Sequence, residues 1–278
     1  MRNLLAADFA RLRRDRALWL ICILHGLFSL VISISGSASA EQMAQRGYVV
    51  YAEEYFYAAV PGLGVLSAVF TSIFLGTEYS DGTLRNKLIA GRSRTAVYLS
   101  GFVSSFAAGL LLLLFWLLGA SASLFLSDLP FENGYGEAAL SVLALVGSMA
   151  AFSAVYALIA RLCQSKTLAL IVSLAVFFIF MLVASGLYDR LTEVEFLGGM
   201  MMDGGQFIEI PRTPNPLYLT GRARTYCEIA LEAVPFGLHA MLNNAEPVRP
   251  LRQFAVSCAF TLLVSAVGMG LFRRKDVK

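Results

Sequence analysis

The sequence predicts an all-α integral membrane protein with six membrane-spanning helices, and three observations carry that prediction. Hydrophobic residues make up 58% of the 278 residues and charged residues only 15%, against about 25% charged in a soluble domain. Six stretches lack Asp, Glu, Lys and Arg altogether: Ala17 to Ala40, Tyr55 to Thr77, Thr95 to Ser127, Ala138 to Ala160, Thr167 to Tyr188 and Gln253 to Phe272. Each reaches the ~20 residues that a helix needs to cross ~30 Å of hydrocarbon. The third observation is the placement of Lys and Arg. Fifteen of the 22 basic residues fall on one side of the expected topology: Arg2, Arg11, Arg13, Arg14 and Arg16, then Arg85, Lys87, Arg92 and Arg94, then Arg161 and Lys166, and finally Arg273, Arg274, Lys275 and Lys278. By the positive-inside rule that face, with both termini, is cytoplasmic. The net charge of +3 therefore reports orientation and gives no support to nucleic-acid binding.

The chain reads as one membrane domain over residues 1–278. Residues 1–16 interleave Leu4, Leu5, Phe9 and Leu12 with arginines, which predicts an amphipathic helix on the inner membrane surface. Ala38-Ser39-Ala40 imitates a signal-peptidase site, but the 24 residues from Ala17 to Ala40 exceed a signal h-region of about 7 to 15. The first stretch is therefore expected to stay as a span. It contains His25, whose ring is expected to hydrogen-bond a neighbouring helix. In the second span Pro61, beside Gly62 and Gly64, predicts a kink near the outer end. The third carries Gly101, Ser105 and Gly109 at intervals of four, with Ser100, Ser104 and Ala108 one position behind. Such a small-residue face lets two helix backbones approach closely, within the chain or at a subunit seam. The fourth offers Gly147 with Ala151, and Ala150 with Ala154.

Residues 189–250, between the fifth and sixth spans, form the only large polar insertion, and it faces outward. Gly204, Gly205, Pro211, Pro214 and Pro216 make its centre turn-rich. Beyond them Tyr218, Tyr226, Ile229, Ala230, Ala233 and Val234 recur at helical spacing, and Phe236, Leu238, Met241 and Leu242 suit a second short helix, so a small helical insertion packing over the mouth of the bundle or at the lipid surface is expected, with direct substrate contact as the alternative. Met200, Met201 and Met202 are the residue type of a copper(I) site, but no Cys or His flanks them, and adaptable apolar filling is the better reading. His239 reads as a capping or interfacial residue. The four cysteines are scattered singly, so no metal or redox centre is expected.

The search for chemistry within the spans returns little. His25 is the only titratable imidazole, and no Asp, Glu, Lys or Arg interrupts any of the six runs, which argues against a carrier driven by protons or sodium. There is no phosphate-binding G-x-x-x-x-G-K-[ST] loop, so the chain is not its own motor. Glu53-Glu54 resembles the paired carboxylates of an intramembrane enzyme, but no further ligand set accompanies it and no catalytic residue is assigned. A membrane sensor or regulatory subunit remains as an alternative, although it would be expected to carry a cytoplasmic output domain larger than the pieces seen here.

Between the second and third spans lies a charged island, Gly76 to Leu99, reading GTEYSDGTLRNKLIAGRSRTAVYL. Asp81-Gly82-Thr83 predicts the start of a short helix with an acidic cap, and the basic residues that follow suit its C-terminal dipole. This stretch resembles the cytoplasmic loop of ABC-2 type transporter permeases, in which an acidic residue precedes a G-T-[LI]-R-N-K-L helix and an S-R pair. Here those positions are Glu78, Gly82, Thr83, Leu84, Arg85, Asn86, Lys87, Leu88, Ser93 and Arg94. The resemblance implies that Glu78 and Asp81 to Lys87 form a coupling helix seated in a groove of a separate ATPase. It implies two such ATPase subunits holding the ATP and magnesium, with no cofactor in this chain, and a second permease subunit, with the face of Gly101, Ser105 and Gly109 serving packing within the chain or in part that subunit seam. It also implies the plasma membrane of a bacterium. Among such permeases the motif is similar to those of Gram-positive bacteria that export antimicrobial peptides or give immunity to them.

Overall fold

The computed structural model describes residues 1–126, 129–203, 206–244 and 248–276, with the side chains of Glu54, Ser123 and residues 199–210 outside that description. Helix α1 (Arg2–Arg14) meets α2 (Arg16–Gln45) at a sharp corner, where Asp15 caps α2 by accepting hydrogen bonds from the amides of Ala17 at 2.9 Å and Leu18 at 3.2 Å. A one-turn helix α3 (Glu53–Phe56) precedes α4 (Pro61–Ser80), then the short α5 (Thr83–Ile89) and the long α6 (Arg94–Ser121). The chain continues through α7 (Gly134–Leu162) and α8 (Lys166–Thr192), a hairpin of β1 (Phe196–Asp203) and β2 (Gln206–Pro214), then α9 (Gly221–Ala233), α10 (Gly237–Asn243) and α11 (Pro250–Arg274). Six of these helices, α2, α4, α6, α7, α8 and α11, are long and apolar enough to cross a membrane.

Their surfaces identify the solvent. On α2, Leu20, Leu24, Leu27, Phe28 and Val31 point outward, as do Ile171, Ile179 and Leu182 on α8 and Leu262 and Leu263 on α11. In water such apolar faces would drive aggregation, so they fit only a lipid surround. Polar side chains turn inward instead. Ser29, Ser33 and Ser37 of α2 are buried. Ser29 donates to the Trp116 carbonyl of α6 at 3.1 Å. Gly26 and Gly119 let α2 and α6 touch, since a Cβ at Gly119 would run into the Gly26 carbonyl oxygen. Helix α7 is the central element, packed against α4, α6 and α11.

Helices α2, α7, α8 and α11 overrun their uncharged stretches at both ends, because the backbone keeps its hydrogen bonds into the headgroup zone, where charged side chains are tolerated. Three local expectations are corrected. Pro61 does not kink a continuous second span: the chain breaks at residues 57–60, and Pro61 starts α4 in its first turn, where its missing N–H costs nothing. The third span ends at Ser121, with a 3-10 turn over residues 122–125. The insertion is not helical throughout. Its second half forms α9 and α10, but its first half is an antiparallel hairpin with Asp203 opposite Gln206 and a register irregularity at Leu197/Gly199. Asn215 ties the base of the hairpin by donating to Glu193 at 2.8 Å and to the Val194 carbonyl at 2.9 Å. Gly204 and Gly205, and the side chains of Met200, Met201 and Met202, lie outside the described residues.

The apolar pattern of the insertion also needs correction. Tyr226 and Ile229 of α9 point outward, whereas Arg224, Cys227, Glu228 and Leu231 face the bundle. Helix α10 goes further than covering the mouth. Gly237, Leu238, His239, Ala240 and Leu242 are all buried, so this seven-residue helix is a wedge in the bundle.

Candidate functional site: a charged junction beneath the short helix

Glu78 and Arg161 form a salt bridge in the interior, Arg161 Nη1 to Glu78 Oε2 at 2.8 Å, with both side chains fully shielded from solvent. Glu78 stands in the last turn of α4 and Arg161 in the last turn of α7. Buried charges persist only when paired, and Glu78 is paired three times over. Its Oε1 also receives Lys87 Nζ of α5 at 2.9 Å and Arg11 Nη1 of α1 at 3.0 Å. Lys87 in turn bridges to Asp8 of α1 at 2.8 Å, and Ser100 of α6 donates to the other Asp8 oxygen. Two carboxylates and three cations from four helices are thus gathered at one end of the bundle.

The surroundings hold these groups in place. Arg11 Nη2 donates to the Phe74 carbonyl at 2.8 Å while its guanidinium lies 3.7 Å over the Phe74 ring. Arg161 Nη2 donates to the Val97 carbonyl at 3.3 Å, and Tyr79 donates to the Arg161 carbonyl at 2.7 Å. Space for the Arg161 fork exists because residue 101 is glycine: a Cβ there would stand 2.5 Å from Nη2. The chain after α11 joins as well. Lys275 donates to the carbonyls of Arg161 and Leu162, and Arg94 to those of Phe272 and Lys275. Two groups here lie outside the spans and shift by burial: desolvation pushes the Cys163 thiol up and the Lys275 ammonium down, each partly opposed by the other's charge.

Helix α5 sits directly on this junction. Leu84 is buried in a small cluster with Leu4 of α1, Val97 and Tyr98 of α6 and Phe272 of α11, and Leu88 packs against its edge. Leu84, Lys87 and Leu88 therefore form the inward face. Thr83, Arg85, Asn86 and Ile89 form the outward one. Ile89 is 72% exposed, a large apolar side chain displayed on a helix outside the membrane spans.

The residues expected to couple thus divide into two groups. Glu78, Leu84 and Lys87 are structural anchors turned into the protein; Asp81, Thr83, Arg85 and Asn86 are presented outward. Asp81 does not cap α5. It terminates α4, and Gly82 occupies the N-cap with φ of 67°, a left-handed conformation that glycine adopts without a Cβ penalty. Thr83 closes this corner by donating to the Glu78 carbonyl at 3.3 Å. Gly101, Ser105 and Gly109 are buried on α6: Arg161 lies at Gly101, Ser105 donates to the Gly101 carbonyl at 2.9 Å, and Met149 and Ser153 of α7 lie at Gly109. Asp8, Arg11, Arg161 and Ile89 were not singled out from sequence. Asp8 was detectable as the one acid in the middle of an arginine-rich amphipathic segment that ends at Asp15; Arg161 had only its position at the rim of a span.

The two histidines depart from expectation. His25 Nε2 has no hydrogen-bond partner among the described residues, and its ring lies against Gly62. His239 is completely buried rather than interfacial, with Nδ1 3.2 Å from the Val60 carbonyl and Nε2 2.9 Å from Ser148 Oγ. Glu53 accepts the Glu132 amide at 3.0 Å in the loop before α7, and the Glu54 side chain lies outside the described residues.

No curated protein matches the chain. Residues 4–183, running from α1 through most of α8 and including every member of the Asp8–Arg11–Glu78–Lys87–Arg161 junction, match the model of the ABC-2 family transporter proteins. Six apolar spans, an amphipathic helix before the first, and a short anchored helix between the second and third are therefore the features of a multi-pass membrane protein that belongs to the ABC-2 transporter family.

Proposed function

We propose that this chain is the permease subunit of an ATP-binding cassette exporter in a bacterial plasma membrane, with α5 as the helix that receives the stroke of a separate ATPase. The observation that carries this reading is the two-faced character of α5. Its inner face is fixed to α1, α4, α6 and α11 through Lys87 and Leu84. Its outer face shows a cation, an amide and an apolar residue, Arg85, Asn86 and Ile89, which suits a protein groove better than bulk water. A displacement of α5 cannot be absorbed locally, since Lys87 is bonded to carboxylates on two helices and Glu78 carries the pull on to Arg161 of α7. The junction would turn motion at one short helix into motion of the whole cytoplasmic end of the bundle.

On this reading both termini and α5 are cytoplasmic, as the distribution of Lys and Arg favours. ATP and magnesium reside on two copies of the partner ATPase, and the permease works beside a second permease subunit. The substrate class is an amphipathic peptide or lipid-like molecule leaving the membrane, a reading that rests on the likeness of the island to peptide-exporting permeases. Gentle purification of the tagged chain from its host membranes tests the assignment. A stoichiometric nucleotide-binding subunit whose hydrolysis depends on the permease is expected; a chain that is isolated folded and free of any such subunit contradicts it.

A further inference from the structure

His239 occupies a cage whose protons do not balance. Its Nδ1 faces the Val60 carbonyl at 3.2 Å and its Nε2 faces Ser148 Oγ at 2.9 Å, while Ser148 Oγ lies 3.0 Å from the Pro235 carbonyl. Three contacts need three protons. A neutral imidazole and one hydroxyl bring two, so with Nδ1 protonated and Ser148 donating to Nε2 the Pro235 carbonyl goes unserved. A third proton, on the imidazolium, would complete the set, but the cage has nothing to neutralise its charge.

Beyond the Val60 carbonyl and the Ser148 hydroxyl, the ring is packed against aromatic side chains. Phe152 of α7 meets it edge-on at 5.3 Å, and Phe236 stacks on it at 5.5 Å. Phe177 of α8 packs on both of those rings. The titratable and charged groups nearest it on the surrounding elements are His25 of α2 beside Gly62, Tyr156 of α7, Tyr188 of α8, Arg224, Glu228 and Glu232 of α9, and Glu53, Tyr57, Glu137 and Arg249 lining a cavity of about 320 Å³ beyond Leu242. None of these is bonded to the ring. An unpaired charge in such a site costs more than one completed hydrogen bond returns.

We propose that His239 is a proton-responsive latch: the neutral ring holds the α10 wedge between α4 and α7, and protonation releases it. The latch acts on a helix of seven residues that enters the bundle from the outer insertion, at the break where α4 begins. Burial pushes the ring down to about 3 from its ordinary 6.5, partly opposed by its bond to Val60. The direction follows by linkage. A released ring takes up a proton near pH 6.5 whereas the docked ring does not, so docking is complete above that pH and weakens about tenfold for each unit below it. Acid on the outer side would thus open the outer end of the bundle.

Hydrogen exchange of the α10 amides tests this in the full chain, reconstituted in lipid nanodiscs, with each rate divided by its intrinsic rate at the same pH. Between pH 7.5 and pH 5.0 the opening of α10 is expected to increase about thirtyfold, while α7 and α11 amides keep their protection. His239→Gln, which stays neutral, should abolish the pH response, and His25→Gln should retain it. Equal α10 protection at the two pH values in the unaltered protein overturns the proposal, and so does an undiminished response in His239→Gln. If His239→Gln does not fold, the comparison of the unaltered chain with His25→Gln decides: loss of the response on changing His25 assigns the switch to that residue and overturns the proposal.

Discussion

Arg161 Nη1 lies 2.8 Å from Glu78 Oε2, joining the ends of α4 and α7 across 83 positions of sequence in a site that water does not reach. Removing one partner of such a pair leaves the other charged and buried, which typically costs about 3 to 5 kcal/mol. Glu78→Gln strands Arg161 and weakens the hold on Arg11 and Lys87 together, so a large loss of thermal stability in detergent is expected. Arg161→Met should lose less, because Glu78 keeps Lys87 and Arg11. Equal, small effects for the two variants would show that the junction is solvated and its pairing unimportant.

The small residues of α6 are not equivalent. At Gly119 an added methyl runs into the Gly26 carbonyl, and at Gly101 it displaces the Arg161 guanidinium; at Gly109 the nearest atom, Ser153 Oγ, stands 3.6 Å away in ordinary contact. Gly119→Ala and Gly101→Ala should each destabilise by about 1 to 3 kcal/mol through overpacking, with Gly109→Ala nearly neutral. Fraction folded after heating, read by size-exclusion chromatography, ranks the three. A Gly109→Ala defect as large as that of Gly119→Ala would mean that α6 packs on a different neighbour in the membrane.

Orientation is accessible to cysteine labelling in intact cells, on a background from which Cys22, Cys163, Cys227 and Cys258 have been removed. A membrane-impermeant maleimide should reach a cysteine at Glu132 directly and one at Ser93, the exposed N-cap of α6, only after permeabilisation. The reverse pattern contradicts the cytoplasmic placement of α5 and the coupling role with it.

Much of this was legible because lipid is a demanding solvent. A spanning helix must be apolar along its whole length and satisfy its own backbone, so six uncharged runs translate directly into α2, α4, α6, α7, α8 and α11. The junction was not legible for a related reason. Glu78 and Arg161 each lie just past the end of an uncharged run, where a charge reads as a solvated flank, and nothing in the local pattern says that two flanks remote in sequence pair with each other. The hairpin escaped detection because Phe196 to Pro214 is rich in Gly and Pro and lacks a clean alternation, while its strands are held by backbone pairing. Wedge residues such as Leu238 and His239 looked like a covering helix, since a seven-residue segment carries too little periodicity to tell a plug from a lid.

Ile89 separates anchoring from docking. At 72% exposure it contributes little to the fold, so Ile89→Asp should change stability by no more than about 0.5 kcal/mol. Desolvating a carboxylate in an apolar groove is unfavourable, and the variant should bind its ATPase poorly while Lys87→Arg, which keeps the ion pairs, binds it well. Wild-type ATPase recovery with Ile89→Asp would remove this residue from the docking face.

The most direct measurement is the recovery and activity of the ATPase with the double variant Asp81→Lys, Arg85→Glu. Both side chains are exposed and neither belongs to the Glu78 junction, so exposed charges worth about 0.2 to 1 kcal/mol each leave insertion and folding intact. At a docked interface the same reversal sets like charge against like, a penalty of several kcal/mol. The predicted result is normal abundance of the permease in the membrane, with its copurifying ATPase and its permease-stimulated ATP hydrolysis both lost. Full retention of the ATPase and of stimulated hydrolysis would contradict the claim that α5 is where the motor takes hold.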